Sequence, residues 1–202
     1  MILTEKEAEA FLEKEKFDIV KRVFVKDVKS LKGAIKKISF PLVMKVSGKK
    51  IVHKNSVGGV VDDVNNYEEA SKIFRRLRKI KGCEEILIQK QLEGREFLLG
   101  IKKTLEFGHT VAFGAGGINT EKLNDVSFRV CDFNKVEASK MINEIEASKD
   151  LKKQEREVIV KNIIKLCDLS KNYKGIKELD INPLFVKDKK AVIADARIVF
   201  ED

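Results

Sequence analysis

Cysteine, tryptophan, proline and long apolar runs are what this sequence has least of. Its three cysteines, Cys83, Cys131 and Cys167, form no Cys-x-x-Cys pair and leave an odd count. That argues against a secreted disulfide framework and against a structural zinc site, and suits a reducing cytoplasm. No stretch approaches the uninterrupted apolar length of a membrane span. The opening Met1-Ile2-Leu3-Thr4-Glu5-Lys6 enters a charged helix without a signal-peptide core, so a soluble cytoplasmic protein with no membrane attachment is expected. There is no Trp, and 12 Phe with 2 Tyr leave few rings for base stacking. Basic residues are interleaved with acids instead of forming a tail, which also argues against a generic nucleic-acid binder. What is present is a chain of 202 residues, 43% hydrophobic, long enough for one substantial domain or two small subdomains sharing a core. Forty-one Lys and Arg against 32 Asp and Glu give a formal charge of +9, which suits polyanionic partners such as nucleotides, coenzyme A or nucleic acid, without choosing among them.

Periodicity predicts a helix from the Thr4/Glu7 capping box to about Lys16, a strand around Ile19–Val25, a helix over Val28–Ile38 and a strand over Pro41–Val46. A polar loop with Gly48, Gly58 and Gly59 follows, then a strand from Val60 and a basic amphipathic helix from Tyr67 to Ile80. From Glu85 the pattern changes to closely spaced strands at residues 86–88, 97–99, 111–113 and 126–130, read as an antiparallel meander. Two helices, about Lys135–Ala147 and Lys153–Asn172, and closing strands near Ile176–Val186 and Ala191–Val199 complete the chain. The expectation is an α+β fold, mixed in its α/β opening, with two lobes spanning residues 1–83 and 84–202. No internal repeat is visible.

Four places could carry chemistry. Glu178, Asp180 and Asn182 alternate along a strand whose other face carries Leu179 and Ile181. If Asp188-Lys189 is a two-residue turn, Asp195 falls opposite Asn182 and Arg197 opposite Asp180. Such a carboxylate and amide oxygen suit Mg²⁺, which takes few protein ligands; the alternative is a solvent face with an Asp–Arg pair. Lys45 ends an apolar strand before the Gly58-Gly59 loop, where it either meets phosphates or sits solvated at a sheet edge. His53 in that loop either accepts a phosphoryl group or caps the loop. Gly114-Ala115-Gly116-Gly117, followed by Glu121 and Asp125, either presents backbone donors to an anion or forms a turn.

Taken in order, these segments resemble the ATP-grasp domain of the ADP-forming acyl-CoA synthetases (acetate–CoA ligase, ADP-forming), specifically their small β subunit. The carriers are Phe40-Pro41-Leu42-Val43-Met44-Lys45-Val46, the loop Ile51-Val52-His53-Lys54-Asn55-Ser56-Val57-Gly58-Gly59-Val60, and the stretch from Phe113-Gly114-Ala115-Gly116-Gly117 to Ser127-Phe128-Arg129. The closing Glu178-Leu179-Asp180-Ile181-Asn182-Pro183-Leu184 and Ala194-Asp195-Ala196-Arg197 are similar also to succinyl-CoA synthetase. The resemblance implies a two-lobed ATP-grasp fold that binds ATP or ADP with Mg²⁺ between its lobes. It implies that Lys45, Gly58 and Gly59 contact phosphates, and that Glu85, Ile88 and Gln89 form an adenine hinge through backbone groups. Glu96 would reach the ribose, and Asn182 and Asp195 would hold the metal. His53 matches the phosphoryl-accepting catalytic histidine, and Glu121, Asp180 and Arg129 would support the phosphohistidine. The implied partner is a CoA-binding α subunit, whose own phosphohistidine segment delivers the phosphoryl group. A regulatory or otherwise divergent ATP-grasp nucleotide binder is the alternative, and an RNA- or acid-binding module built on Arg75-Arg76-Leu77-Arg78-Lys79 is a third reading. The chain departs from the family pattern at Ser56, Thr104, Ile19-Val20-Lys21 and Cys131-Asp132.

Overall fold

The computed structural model describes residues 1–48, 51, 54–117 and 125–201. They fall into two compact units, the smaller running from Val20 to Leu92 and the larger joining Met1–Ile19 to the chain from Glu93 onward. Among the described residues no helix is long and apolar enough to cross a membrane.

The smaller unit contains β1 (Arg22–Val25), α2 (Val28–Ile38), β2 (Leu42–Ser47), β3 (Val60–Val64), α3 (Tyr67–Leu77) and β4 (Glu85–Lys90), α1 (Glu5–Lys14) lying in the larger unit. Its antiparallel sheet has the order β1-β4-β2-β3. The Asp27 and Asn66 side chains cap α2 and α3, accepting from the N–H groups of Ser30 and Glu69. Both helices bury Leu31, Ile35, Ile38, Phe74 and Leu77 against Val25, Met44, Val46, Ile86 and Ile88 of the sheet. α3 stops at Leu77, short of the expected Ile80, because Lys79 and Ile80 donate to Arg76 and Leu77 in tighter turns. The guanidinium of Arg78 bonds the Cys83 and Glu84 carbonyls beyond, at 3.2 and 2.6 Å, so this member of the basic run is not displayed to a polyanion.

The larger unit contains α1, β5 (Arg95–Thr104), β6 (Gly108–Ala115), β7 (Val126–Val130), α4 (Lys135–Glu144), α5 (Lys153–Asn172), β8 (Ile176–Lys187), β9 (Lys190–Ile193) and β10 (Ala196–Phe200). The sheet order is β10-β8-β5-β6-β7, with β9 also paired to β8, and every pairing is antiparallel. Ala8 and Leu12 of α1, Met141 of α4 and Ile159, Ile163 and Leu166 of α5 join Phe97, Phe113, Leu179 and Ile181 in one core. The Phe97 and Phe113 rings stack across β5 and β6 at 5.1 Å.

Three departures from the expected pattern have physical causes. β4 does not join the meander; it lies between β1 and β2, where Ile86 and Ile88 fill the smaller core, while α1 packs with the larger unit. The compact units therefore alternate along the chain instead of meeting once at residues 83/84. α4 ends at Glu144 and not at Ala147, because Ile145 turns extended and the Asp125 carboxylate accepts from the N–H groups of Glu146 and Ala147 at 2.9 and 3.0 Å. The expected strand over 191–199 is split at Ala194-Asp195 opposite Pro183, which has no N–H to give to a ladder.

Candidate functional site

The closing hairpin has the register that its turn predicts. β9 pairs with β8 from Lys187↔Lys190 to Leu184↔Ile193, and β10 continues it with Ala196↔Ile181 and Arg197↔Asp180. Across the break the register holds through Ala194 N–H to Pro183 O at 3.1 Å and Asn182 N–H to Asp195 O at 3.3 Å, so Asp195 does lie beside Asn182. Leu179 and Ile181 point into the core, leaving Glu178, Asp180 and Asn182 on the opposite face.

On that face Asp180 carries the main electrostatic stress. Burial, then the neighbouring Asp195 and Glu178 carboxylates, push its acid from the ordinary 3.8 up to about 6, against the opposing pull of Arg197. The guanidinium does not neutralise it fully; Arg197 Nη1 also stands 3.9 Å from Glu178 Oε1. Gly100 on β5 pairs with Asp180, and a Cβ there would approach Leu179 O to 3.0 Å and Asp180 Oδ1 to 3.6 Å. This glycine keeps the space beside the carboxylate clear.

The second glycine cluster meets the hairpin. Gly117 N–H donates to Asn182 Oδ1 at 3.1 Å, and Gly116 N–H to Glu96 O at 2.9 Å. Gly117 has φ +87°, and a Cβ on it would lie 2.5 Å from Glu96 Oε2. Glu96, Gly117, Asn182, Asp180 and Asp195 thus form one polar constellation on the larger unit. The backbone donors of Ala115, Gly116 and Gly117 go to Asp125 O, Glu96 O and Asn182 Oδ1. Gly100 is the member that sequence reasoning did not single out, while Gly117 lies in the glycine run that it did. No three His, Cys, Asp or Glu side chains among the described residues cluster as a metal-binding group. The donor set that suits a divalent ion is one carboxylate, Asp195, and one amide oxygen, Asn182. Asp180 beside them, still mostly ionised at neutral pH, supplies negative charge that a cation would offset.

In the smaller unit Lys45 is 7% exposed on an internal strand between β3 and β4, so the reading of a solvated edge residue does not hold. Its partner Val60 follows the two glycines directly. Gly58, at φ +62°, ends a short 3-10 turn over Asn55–Val57. Gly59 N–H donates to Lys54 O and its carbonyl accepts from Val46 N–H, both at 2.8 Å. A Cβ on Gly59 would come within 2.4 Å of Val46 Cγ2 and 2.8 Å of Lys54 O. Each glycine answers a separate demand, one for backbone sign and one for close approach.

Of the expected hinge residues, Gln89 is buried on the sheet face that also carries Lys45, and Ile88 points the other way into the helical core. Residues 86–89 have partner strands on both sides, β1 and β2, so their backbone is engaged in the ladder.

Arg129 is not near the hairpin's polar face. It pairs with Val111 on β6 and points to the helix-covered side of the sheet, where its Nε meets Glu137 Oε1 at 2.9 Å and its Nη2 pairs with Glu144 Oε1. Hydrogen bonds from Arg129 hold both glutamates below the usual carboxylate range and raise the guanidinium in turn. The arginine is a clasp between β7 and α4. His53 and Glu121 lie outside the described residues.

A family model described as an ATP-grasp domain matches residues 1–200. The chain is 39% identical, over 98% of its length, to acetate–CoA ligase [ADP-forming] II of Archaeoglobus fulgidus, of which it spans only 30%. It is 37% identical over 80% of its length to the β subunit of acetate–CoA ligase [ADP-forming] I of Pyrococcus furiosus, covering 76% of that chain. Among solved structures it superposes on a selenomethionine derivative of the dinucleotide-forming acetyl-coenzyme A synthetase 1 of Ca. Korarchaeum cryptofilum, in complex with coenzyme A and Mg-AMPPCP. There the TM-score is 0.83 at 29% identity, over 99% of this chain and 93% of that one.

Proposed function

Since the chain belongs to the ATP-grasp family, we propose that it is the nucleotide-binding β component of an ADP-forming acyl-CoA synthetase, an acid–thiol ligase that interconverts acyl-CoA, ADP and phosphate with the acid, CoA and ATP. The observation that carries this reading is the constellation of Asn182 and Asp195 beside the charge-stressed Asp180, closed by the Gly117 N–H.

In this reading Asn182 and Asp195 hold Mg²⁺, with the Asn182 oxygen kept in place by Gly117. Bound there, Mg²⁺ would neutralise charge on the phosphate oxygens during transfer. Lys45 adds a fixed ammonium for those oxygens, and Gly58-Gly59 let backbone donors approach them without a Cβ in the way. Glu96 accepts from the ribose hydroxyls. His53 is the phosphoryl carrier that the sequence resemblance implies, with Glu121 in support. Binding and orientation are this chain's work; the CoA and acyl sites belong to an α component, separate as for the Pyrococcus furiosus β subunit or fused as in longer relatives.

The test is reconstitution. With acid, CoA and Mg²⁺·ATP the chain alone should turn nothing over, and a CoA-binding α chain should restore synthesis of acyl-CoA with release of ADP. Robust turnover by the chain alone would overturn the division of labour.

A further inference from the structure

The segment that leaves β7 brings together two chemically active groups that the nucleotide reading does not use. Cys131 follows β7 directly, is partly exposed, and is fixed by its N–H bonded to His109 O at 2.8 Å. Cys167, on α5, is buried in the core against which Cys131 packs. The two thiols are neighbours, each perturbing the titration of the other, and the Ser170 hydroxyl, one turn further along α5, donates to Cys167 O at 2.7 Å. Beside them the Lys171 ammonium lies 2.8 Å from Asp132 Oδ1, tying the same connection to α5 a second time.

These surroundings favour ionisation of one sulfur over the other. The neighbouring Cys167, then Ser170 and Lys171, hold the Cys131 thiol below its usual range against the effect of its burial, while the pairing and deeper burial push Cys167 up. A partly exposed thiol that ionises more readily beside a buried one is the arrangement of an attacking and a resolving cysteine. A buried cysteine acting only as a small apolar side chain would need no such partner. The third cysteine, Cys83, lies in the other compact unit, where Arg78 and the Glu85 carbonyl occupy its sulfur.

We propose that Cys131 and Cys167 form a peroxide-responsive dithiol, with Cys131 as the reactive sulfur and Cys167 as the resolving one. The Cys131 thiolate attacks hydrogen peroxide, breaking the O–O bond to give a sulfenic acid and hydroxide. The Cys167 sulfur then attacks Cys131, the S–S bond forms, the S–O bond breaks, and the hydroxyl leaves with the Cys167 proton as water. The peroxide gains the two electrons that the thiols lose, and a small dithiol returns them to the reduced state. The resulting cross-link closes the chain between β7 and α5 and fastens the end of β7 to that helix.

The experiment uses the whole chain, reduced and then exposed to excess hydrogen peroxide. Thiols are counted after denaturation, peptides are mapped by mass, and the thermal midpoint is read before and after. Two of the three thiols should disappear as a Cys131–Cys167 peptide, Cys83 should stay free, and the midpoint should rise by roughly 5 °C or more. Cys167→Ser should stop at a sulfenic acid on Cys131 that dimedone traps. Cys131→Ser should keep both remaining thiols and the midpoint of the reduced protein. Loss of no thiol, oxidation of Cys131 beyond sulfenic acid while Cys167 stays reduced, or disulfides only between chains would overturn the proposal.

Discussion

The N–H of Gly117 donates to Oδ1 of Asn182 at 3.1 Å, joining the glycine run after β6 to the acidic face of β8. A backbone donor can only meet the oxygen of an amide, so this bond decides which way Asn182 points and leaves a second lone pair on that oxygen for a cation. The same glycine stands under the Glu96 carboxylate. One backbone position therefore orders a proposed metal ligand and a proposed ribose ligand together.

Gly117→Ala should test that coupling. At φ +87° an alanine costs about 1–2 kcal/mol of backbone strain, and its Cβ drives Glu96 aside. A drop of about tenfold in Mg²⁺·ADP affinity, with the fold retained by circular dichroism, is expected. Unchanged affinity would show that Asn182 is not oriented from this position.

Gly59→Ala and Gly58→Ala should differ in kind. At Gly59 the new Cβ meets Val46 Cγ2 and the Lys54 carbonyl, fixed neighbours that cannot both move, so a loss of about 1–3 kcal/mol in stability is expected. At Gly58 nothing lies in the way, and only the left-handed backbone strain of about 1 kcal/mol remains. Chemical denaturation of the two variants checks the order.

Asp180 gives a pH signature. Its acid lies at about 6 in the folded chain against an ordinary 3.8, so the folded state takes up a proton in that window while the unfolded state does not. This group therefore makes the nucleotide-free protein more stable as pH falls from above 6 towards 3.8. Asp180→Asn removes the charge penalty, about 2–3 kcal/mol at pH 7.5, and should raise the midpoint there while flattening this part of the pH profile. Its Mg²⁺ affinity should fall. A lower midpoint at pH 7.5 would mean that Arg197 already satisfies the carboxylate.

Arg129→Met should separate a clasp from a catalytic support. Glu137 and Glu144 have lowered acids, so their contribution is present at neutral pH and is lost as pH falls through those depressed values. The variant should lower the midpoint at pH 7, converge with the parent in acid, and leave kcat/KM of the reconstituted enzyme within about twofold. A large fall in turnover with an unchanged midpoint would put Arg129 back in the phosphoryl path.

Much of this site was legible because local rules set it. Alternation along residues 178–182 and a turn at Asp188-Lys189 are enough to fix which side chains of β8 and β10 oppose each other. The position of β4 was not legible: Ile86-Leu87-Ile88 is apolar on both faces, and periodicity carries no information about which sheet receives such a run. The end of α4 depends on Asp125, about twenty residues upstream, and the role of Arg129 depends on two glutamates that only the packing of α4 on β7 brings to it. The spare pair Cys131 and Cys167 looked inert by spacing, since α5 supplies the contact that the sequence separates.

The central claim, that Asn182 and Asp195 hold a divalent ion for a nucleotide, is tested most directly by calorimetric titration of the chain with ADP, with and without Mg²⁺. The account predicts saturable binding strengthened by Mg²⁺, and in Asp195→Ala a folded protein whose ADP binding no longer responds to the metal. ADP binding that Mg²⁺ strengthens equally in the parent and in Asp195→Ala would contradict it.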